Sequence, residues 1–383
     1  MVRAAYRRLI VAAAGAAAAG CYASHEDSFP DANPPETFGN SCASDGECDD
    51  GEPCNGAEWC NLRVGLCFAG TQIPDFTQCR TPDGRYASCV DGVCDLRWEE
   101  ICIPAGPFVR GVDREDYRGP GGWGWIAAWP KHIVTLSEYC IDKYEVTNRR
   151  LRRCAEAGRC RPPVNDVTCN QGLPYTMSDR YLDHPATFLG YYDATGLFAD
   201  LQQLCGFEGK RPPTEAEWEK AARGGCEIGG DPTICDAGDE RKYPWGDARP
   251  SRDLVAGTTD FIAIPPVGSR PAGASPYGVM DMAGSLSEAT MDCDGIPEGG
   301  SFREGTAGYL ACAAGGCVDP WMPPVPPLFD TIHRGGGARG GGCWVGYDEE
   351  LTVYARDIDS GTGGSGGRCV RSNAVLRPMD EEQ

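Results

Sequence analysis

The sequence predicts an α+β fold with little regular secondary structure, carried behind a small disulfide-rich module. Three observations predict it. Strand-like apolar pieces (HIVTLSEYCI from His132, the pair Tyr191 and Tyr192, LTVYA from Leu351) are short and separated by Gly/Pro-rich loops. Few segments sustain a 3.6-residue period. Eight cysteines recur at close intervals between Cys42 and Cys94, in a stretch too short to build a large core of its own.

The chain begins with a basic start (Arg3, Arg7, Arg8), an apolar run from Leu9 to Ala19 and small residues before Cys21, the order of a secretory signal. The run falls short of the ~20 residues that span a bilayer. Ala18 to Cys21 reads A-A-G-C and looks like a lipobox, in which cleavage leaves Cys21 as an acylated N-terminus. The alternative is a plain cleavable signal with an incidental cysteine. Tyr22 beside Cys21, with no acidic residue there, points to the outer membrane, facing the periplasm or the surface. The expected organisation is a signal over 1–20, a flexible tether over 21–41, a cysteine-rich module over 42–98, the main domain over 99–376 and a tail over 377–383.

Of 22 cysteines, eight belong to the module and thirteen lie between Cys102 and Cys369. That density fits an oxidising compartment. Zinc is the rival explanation for the module, but it holds no C-x2-C pair and no histidine, so disulfides are expected. The odd count in the main domain leaves one thiol free or paired elsewhere. A net charge of −21 and a pI near 4.6 exclude nucleic acid and anionic lipid surfaces as electrostatic partners and favour a divalent cation. The string CDDGEPCNGAEWC is similar to cysteine-rich repeats of exported proteins from predatory soil bacteria. The acids Asp45, Asp49 and Asp50, and the DCDG run from Asp292 to Gly295, lack a full comb of ligands and read as turns.

In the main domain, TEAEWEKAARGG predicts a helix: Thr214 caps it, Glu217 occupies the capping-box position and Gly224 stops it. Trp218 and Ala221 share its core face, with Glu215 and Glu219 on another. A second, basic helix follows Thr147 and ends at Gly158. Glu145, Thr147 and Asn148 could serve a site, but capping alone would explain them. Tyr243, Pro244 and Trp245 read as a packed corner.

The order of motifs from Ile103 to Ser372 resembles the formylglycine-generating, or sulfatase-modifying factor, family. These are IPAGPFVRG (Ile103), HIVTLSEYCIDKYEVTN (His132), RPPTEAEWEKAARGG (Arg211), YPWGD (Tyr243), PVGSRPAGASPYGVMDMAG (Pro266), EGGSF (Glu298) and GGRCVRS (Gly366). The resemblance implies an irregular α+β domain related to C-type lectins. It also implies oxygen-dependent oxidation of a sulfatase cysteine by copper(I) held on two cysteines five positions apart, thiolates being suited to the soft ion. Aligning the family's arginine-bearing strand to LTVYARD puts Asp348 and Val353 at those two positions, so copper is not expected. Cys312 and Cys317 are also five apart and Cys343 lies nearby; disulfide pairing is the expectation for them and for Cys369. Glycines from Gly335 to Gly342 loosen the alignment.

Further departures are GSLSEA at Gly284 to Ala289, Glu298 for an arginine, and GGR at Gly366 to Arg368. Relatives that use non-haem iron need a histidine triad, whereas His25, His132, His184 and His333 show no such spacing. What the resemblance implies intact is calcium. Its second loop matches Asp281 and Glu288 as side-chain ligands, with carbonyls from Gly284 and Leu286. Its first matches Asp253 and the Leu254 carbonyl, then Asp260 and Ile262. The expectation is a lipid-anchored, diverged, non-catalytic and calcium-braced domain that binds a protein, peptide or glycan at the cell envelope. The alternatives are an oxidoreductase of the family type with displaced metal ligands, and a purely structural lipoprotein.

Overall fold

In the computed structural model the described residues are 37–113, 130–161, 178–186, 199–231, 235, 241–256, 264–294, 312, 314, 316–321, 330–334, 351–353, 357–359, 366–374 and 377–378. The signal, Cys21, most of the tether, the Tyr191 pair, Asp260, Ile262, Glu298, the 335–342 glycines, Cys343 and Asp348 lie outside them.

The cysteine-rich region contains β2 (Trp59–Asn61), β3 (Leu66–Phe68), β4 (Gln78–Arg80) and β5 (Tyr86–Val90), and the last five residues of the expected tether are not flexible but form β1 (Thr37–Ser41), because they pair with β3. The region's eight cysteines close as 42–60, 48–67, 54–89 and 79–94, and their sulfurs make up much of two small buried clusters. Strand β6 (Val93–Ile103) runs through the expected 98/99 division. It pairs with β5 on one side and with β9 (Tyr139–Asp142) on the other. A five-stranded sheet ordered β15-β9-β6-β5-β4, with β15 at Val370–Ser372, therefore joins the module's second half to the main domain. Trp98 donates to Glu208 (2.8 Å), and Phe76 packs edge-on against Phe207.

Strands β7 (Gly106–Arg110), β8 (His132–Leu136) and β11 (Cys317–Val318) form a second sheet, β11 running parallel to β8. Helix α3 (Glu215–Arg223) packs on both sheets. Ile103, Phe108, Leu136, Ile141, Trp218 and Val370 lie in the core between them. The capping box is complete: Thr214 Oγ1 accepts from Glu217 N and Glu217 accepts from Thr214 N. The helix is buried on every side, and paired charges make that affordable. Arg110 pairs with Glu215, and Glu219 with Arg223 and Gly111 N. Asp292 Oδ2 accepts from Glu215 N at the positive end of the helix (2.6 Å).

The expected basic helix is α1 (Asn148–Glu156), and α2 (Ala199–Phe207) lies beside it in a second cluster closed by the Cys205–Cys369 disulfide. Three expectations are corrected. Asp292 to Asp294 is part of β10 (Glu288–Asp294), not a turn, because it pairs with β13 (Asp330–Arg334). Leu351 to Val353 is a turn and not a strand; Leu351 and Val353 enter different core clusters, and Val353 N bonds to Lys242 O. Thr147 is the α1 N-cap position, but its side chain makes no capping bond.

Ten of the main-domain cysteines pair as 102–140, 154–160, 205–369, 226–235 and 312–317. No helix among the described residues is long and apolar enough to cross a membrane.

Candidate functional site

Two loops meet beside the main core. The segment Asp281–Glu288 leads into β10, and the turn at 252–254 runs on into Val255 and Ala256 alongside it; Ser285 N donates to Ala256 O (3.1 Å). Gly284 is required here on two counts: its φ is 75°, and a Cβ would lie 2.3 Å from both Ala256 O and Val255 Cγ2. Asp281 and Ser285 also take left-handed backbone, at φ 59° and 56°. The loop thus folds back on itself in a strained path, as ligand loops often do.

Three carboxylates gather at this loop. Asp281 Oδ2 accepts from Gly268 N (2.6 Å). Glu288 accepts from Trp218 Nε1 (2.9 Å) and from Arg368 Nε (2.7 Å) and Nη2 (2.5 Å). The third is Glu145, fully buried, which accepts from Ser285 Oγ (2.7 Å) and Leu286 N (3.1 Å). Capping therefore does not describe Glu145: it holds the backbone of the 281–288 loop. Burial pushes the Glu145 carboxyl well above its usual range, and the Asp281 and Glu288 charges push it further. Burial likewise raises Asp281. Both shifts express an excess of negative charge in a dry place.

The ion-pairing cation at Glu288 is Arg368. It is fully buried, with its remaining donors on the carbonyls of Asp142, Lys143 and Met280. The departure to glycine just before it has a steric cause. A Cβ on Gly367 would sit 2.5 Å from Leu201 Cδ2, and one on Gly366 2.8 Å from Leu286 Cδ1, so helix α2 and the loop occupy the space that side chains would need. Next to this lies a second buried network, in which Asp142 pairs with Arg150 and Lys210, Arg150 with Glu208, and Lys210 with Glu100. Burial opposes ionisation of Asp142, but Arg150 and Lys210 outweigh it and hold its pKa at about 2.

Asp281 and Glu288 are oxygen donors of the kind a hard cation takes. A carboxylate offers about four lone-pair sites; the hydrogen bonds above use three on Glu288 and one on Asp281. Each keeps capacity for a metal bond. Of the first loop, Asp253 is exposed in its turn, and the Leu254 carbonyl oxygen lies only 1.8 Å from where a Gly273 Cβ would be. The candidate copper positions look different. Val353 is fully buried in the main core beside Trp218 and Ile141, where a ligand is out of place. Cys312 and Cys317 are bonded to each other. His132 and His184 each engage a backbone carbonyl through Nδ1.

A sulfatase-modifying factor enzyme 1-like domain model matches residues 94–373. The chain belongs to this family. A hercynine oxygenase of Mycolicibacterium smegmatis is 30% identical over 253 residues, covering 60% of this chain and 50% of that protein. A formylglycine-generating enzyme of Thermomonospora curvata is 26% identical over 246 residues, covering 50% of this chain and 70% of that protein. The chain spans about half the length of the first of these. Among solved structures, PvdO from Pseudomonas aeruginosa is similar at 20% identity and a TM-score of 0.48, over 78% of this chain and 98% of that one. The family's fold and its place after a disulfide-rich segment match the expectation from sequence. Its relatives include both oxygenases and formylglycine-generating enzymes by name.

Proposed function

We propose that this is a lipid-anchored envelope protein whose family domain binds a protein, peptide or glycan, braced by calcium, and does not carry out copper-dependent oxidation. The observation that carries this reading is the burial of Val353. A thiolate site for copper(I) needs two cysteines that converge and meet substrate, and the residue aligned with the second of them is packed among Trp218, Ile141 and Val370. Calcium is supported by the three carboxylates of Glu145, Asp281 and Glu288, which outnumber the two cations acting on them, Arg368 and, beside Asp281, Arg270. Asp281 and Glu288 would hold the ion with the Gly284 and Leu286 carbonyls, and the ion would supply countercharge and fix the loop. Envelope attachment rests on the signal and Cys21.

A second reading, oxidation of a protein cysteine, rests on one observation: Cys312 and Cys317 have the five-residue separation of the family's metal pair, and their disulfide has to be reduced before they could hold copper. One experiment separates the two. The soluble chain is mildly reduced, loaded with copper(I) and freed of excess metal, and copper and accessible thiols are counted with turnover of a cysteine-containing sulfatase peptide. The binding reading expects no stoichiometric copper and no oxidised peptide. One copper per chain, lost with Cys312→Ser together with turnover, refutes it.

A further inference from the structure

The cysteine-rich module carries an acidic loop that the family domain does not explain. Asp49, Asp50 and Glu58 each bring one carboxylate oxygen to within 4.8 Å of the others. The turn reading accounts for part of this loop only. Asp49 Oδ1 accepts from Gly51 N and Asp50 Oδ1 from Glu52 N, while Asp45 turns away to accept from Cys60 N. Turns do not explain Glu58, which is 8% exposed with Oε1 buried and without a hydrogen-bond partner. An unpaired buried carboxylate is costly, and the sequence offers no Lys or Arg between Arg8 and Arg63 to neutralise it.

A neighbouring acceptor is orphaned too. Asn55 Nδ2 donates to Asp50 Oδ2 (2.9 Å), which fixes the amide and leaves its buried Oδ1 without a partner. Oxygens that lack donors call for a cation, and an all-oxygen set of three carboxylates and one amide selects a hard one. The segment is pre-organised, since Cys48, Cys54 and Cys60 pin it through disulfides to Cys67, Cys89 and Cys42. We infer that Asp49, Asp50, Asn55 and Glu58 form a divalent-cation site, calcium by its donors, in the cysteine-rich module and separate from the Asp281 loop. Two of the carboxylates are exposed, so the affinity expected is that of extracellular modules, with Kd about 10⁻⁴–10⁻³ M.

The test uses the full chain carrying Asp281→Asn, so that the domain loop does not contribute, and measures bound calcium by equilibrium dialysis across the millimolar range. One equivalent is expected, lost with Glu58→Gln. Asp49→Asn is the second variant: Asp49 is exposed, so folding tolerates it, and at least a tenfold weaker Kd is expected. No bound calcium in the Asp281→Asn chain, or the same stoichiometry and Kd in both added variants, overturns the inference.

Discussion

Replacing Arg368 with Met keeps most of the side-chain volume and removes the one cation paired with Glu288. In the wild type Arg368 gives two hydrogen bonds to Glu288 and three to the carbonyls of Asp142, Lys143 and Met280. The variant leaves Glu288 buried and charged beside Glu145 and Asp281. Breaking a buried pair on one side costs about 3–5 kcal/mol, most of it the desolvation of the charge left behind. At about 2–4 °C per kcal/mol for a domain of this size, the melting temperature in chelator falls by about 6–20 °C. The double variant R368M/E288Q removes the stranded charge, while the carboxamide oxygen that replaces the carboxylate still accepts from Trp218 Nε1, so it recovers about half of the loss. Millimolar calcium rescues R368M more than wild type, because the ion replaces the missing positive charge. The assay is thermal unfolding with disulfides intact. A loss below about 1 kcal/mol in chelator, or a double variant as unstable as the single one, refutes the account of Glu288 as a charge that needs its partner.

Three smaller changes check other parts of the reasoning. Thr214→Ala removes the acceptor for Glu217 N and costs about 1 kcal/mol, with Thr214→Ser restoring it, read by denaturant unfolding. Asp142, held down to about 2, contributes stability that is present above its ordinary value of 3.8 and lost as pH falls through about 2. The gap in melting temperature between wild type and Asp142→Asn is therefore level above about pH 4 and narrows below it. Gly367→Phe, which restores the family's residue, destabilises by about 3 kcal/mol through overpacking against Leu201, and Leu201→Ala relieves part of that loss in a thermal melt.

The legible parts of the fold are those written in local chemistry. The Thr214 helix is marked by a capping box and a core face, and β8 and β9 by the apolar run from His132, because caps and periodicity act within a few residues. The site is legible only in part. Asp281, Gly284 and Glu288 stand close together in sequence, so a motif reaches them. Glu145 lies far from Ser285 and Leu286, and Arg368 far from Glu288, so nothing local signals that they meet. The glycines before Arg368 read in sequence as a departure, but their cause is the approach of Leu201 from another helix, which no spacing reports.

The same limit explains the module. A ligand comb counted along the chain makes Asp49 and Asp50 turn residues. Their side chains do close turns, each with one oxygen. What sequence spacing leaves out is that Glu58, just before β2, brings its carboxylate close to theirs while Asn55 fixes its amide on Asp50. A turn needs one acceptor per aspartate and leaves the others to solvent; here two further oxygens are buried without donors. Burial without a partner is a tertiary property, and it separates a solvated acidic surface from a place prepared for a cation. The net charge of −21 carries no such distinction, since many of the described carboxylates are exposed and only those that the fold has stripped of water require something positive in return.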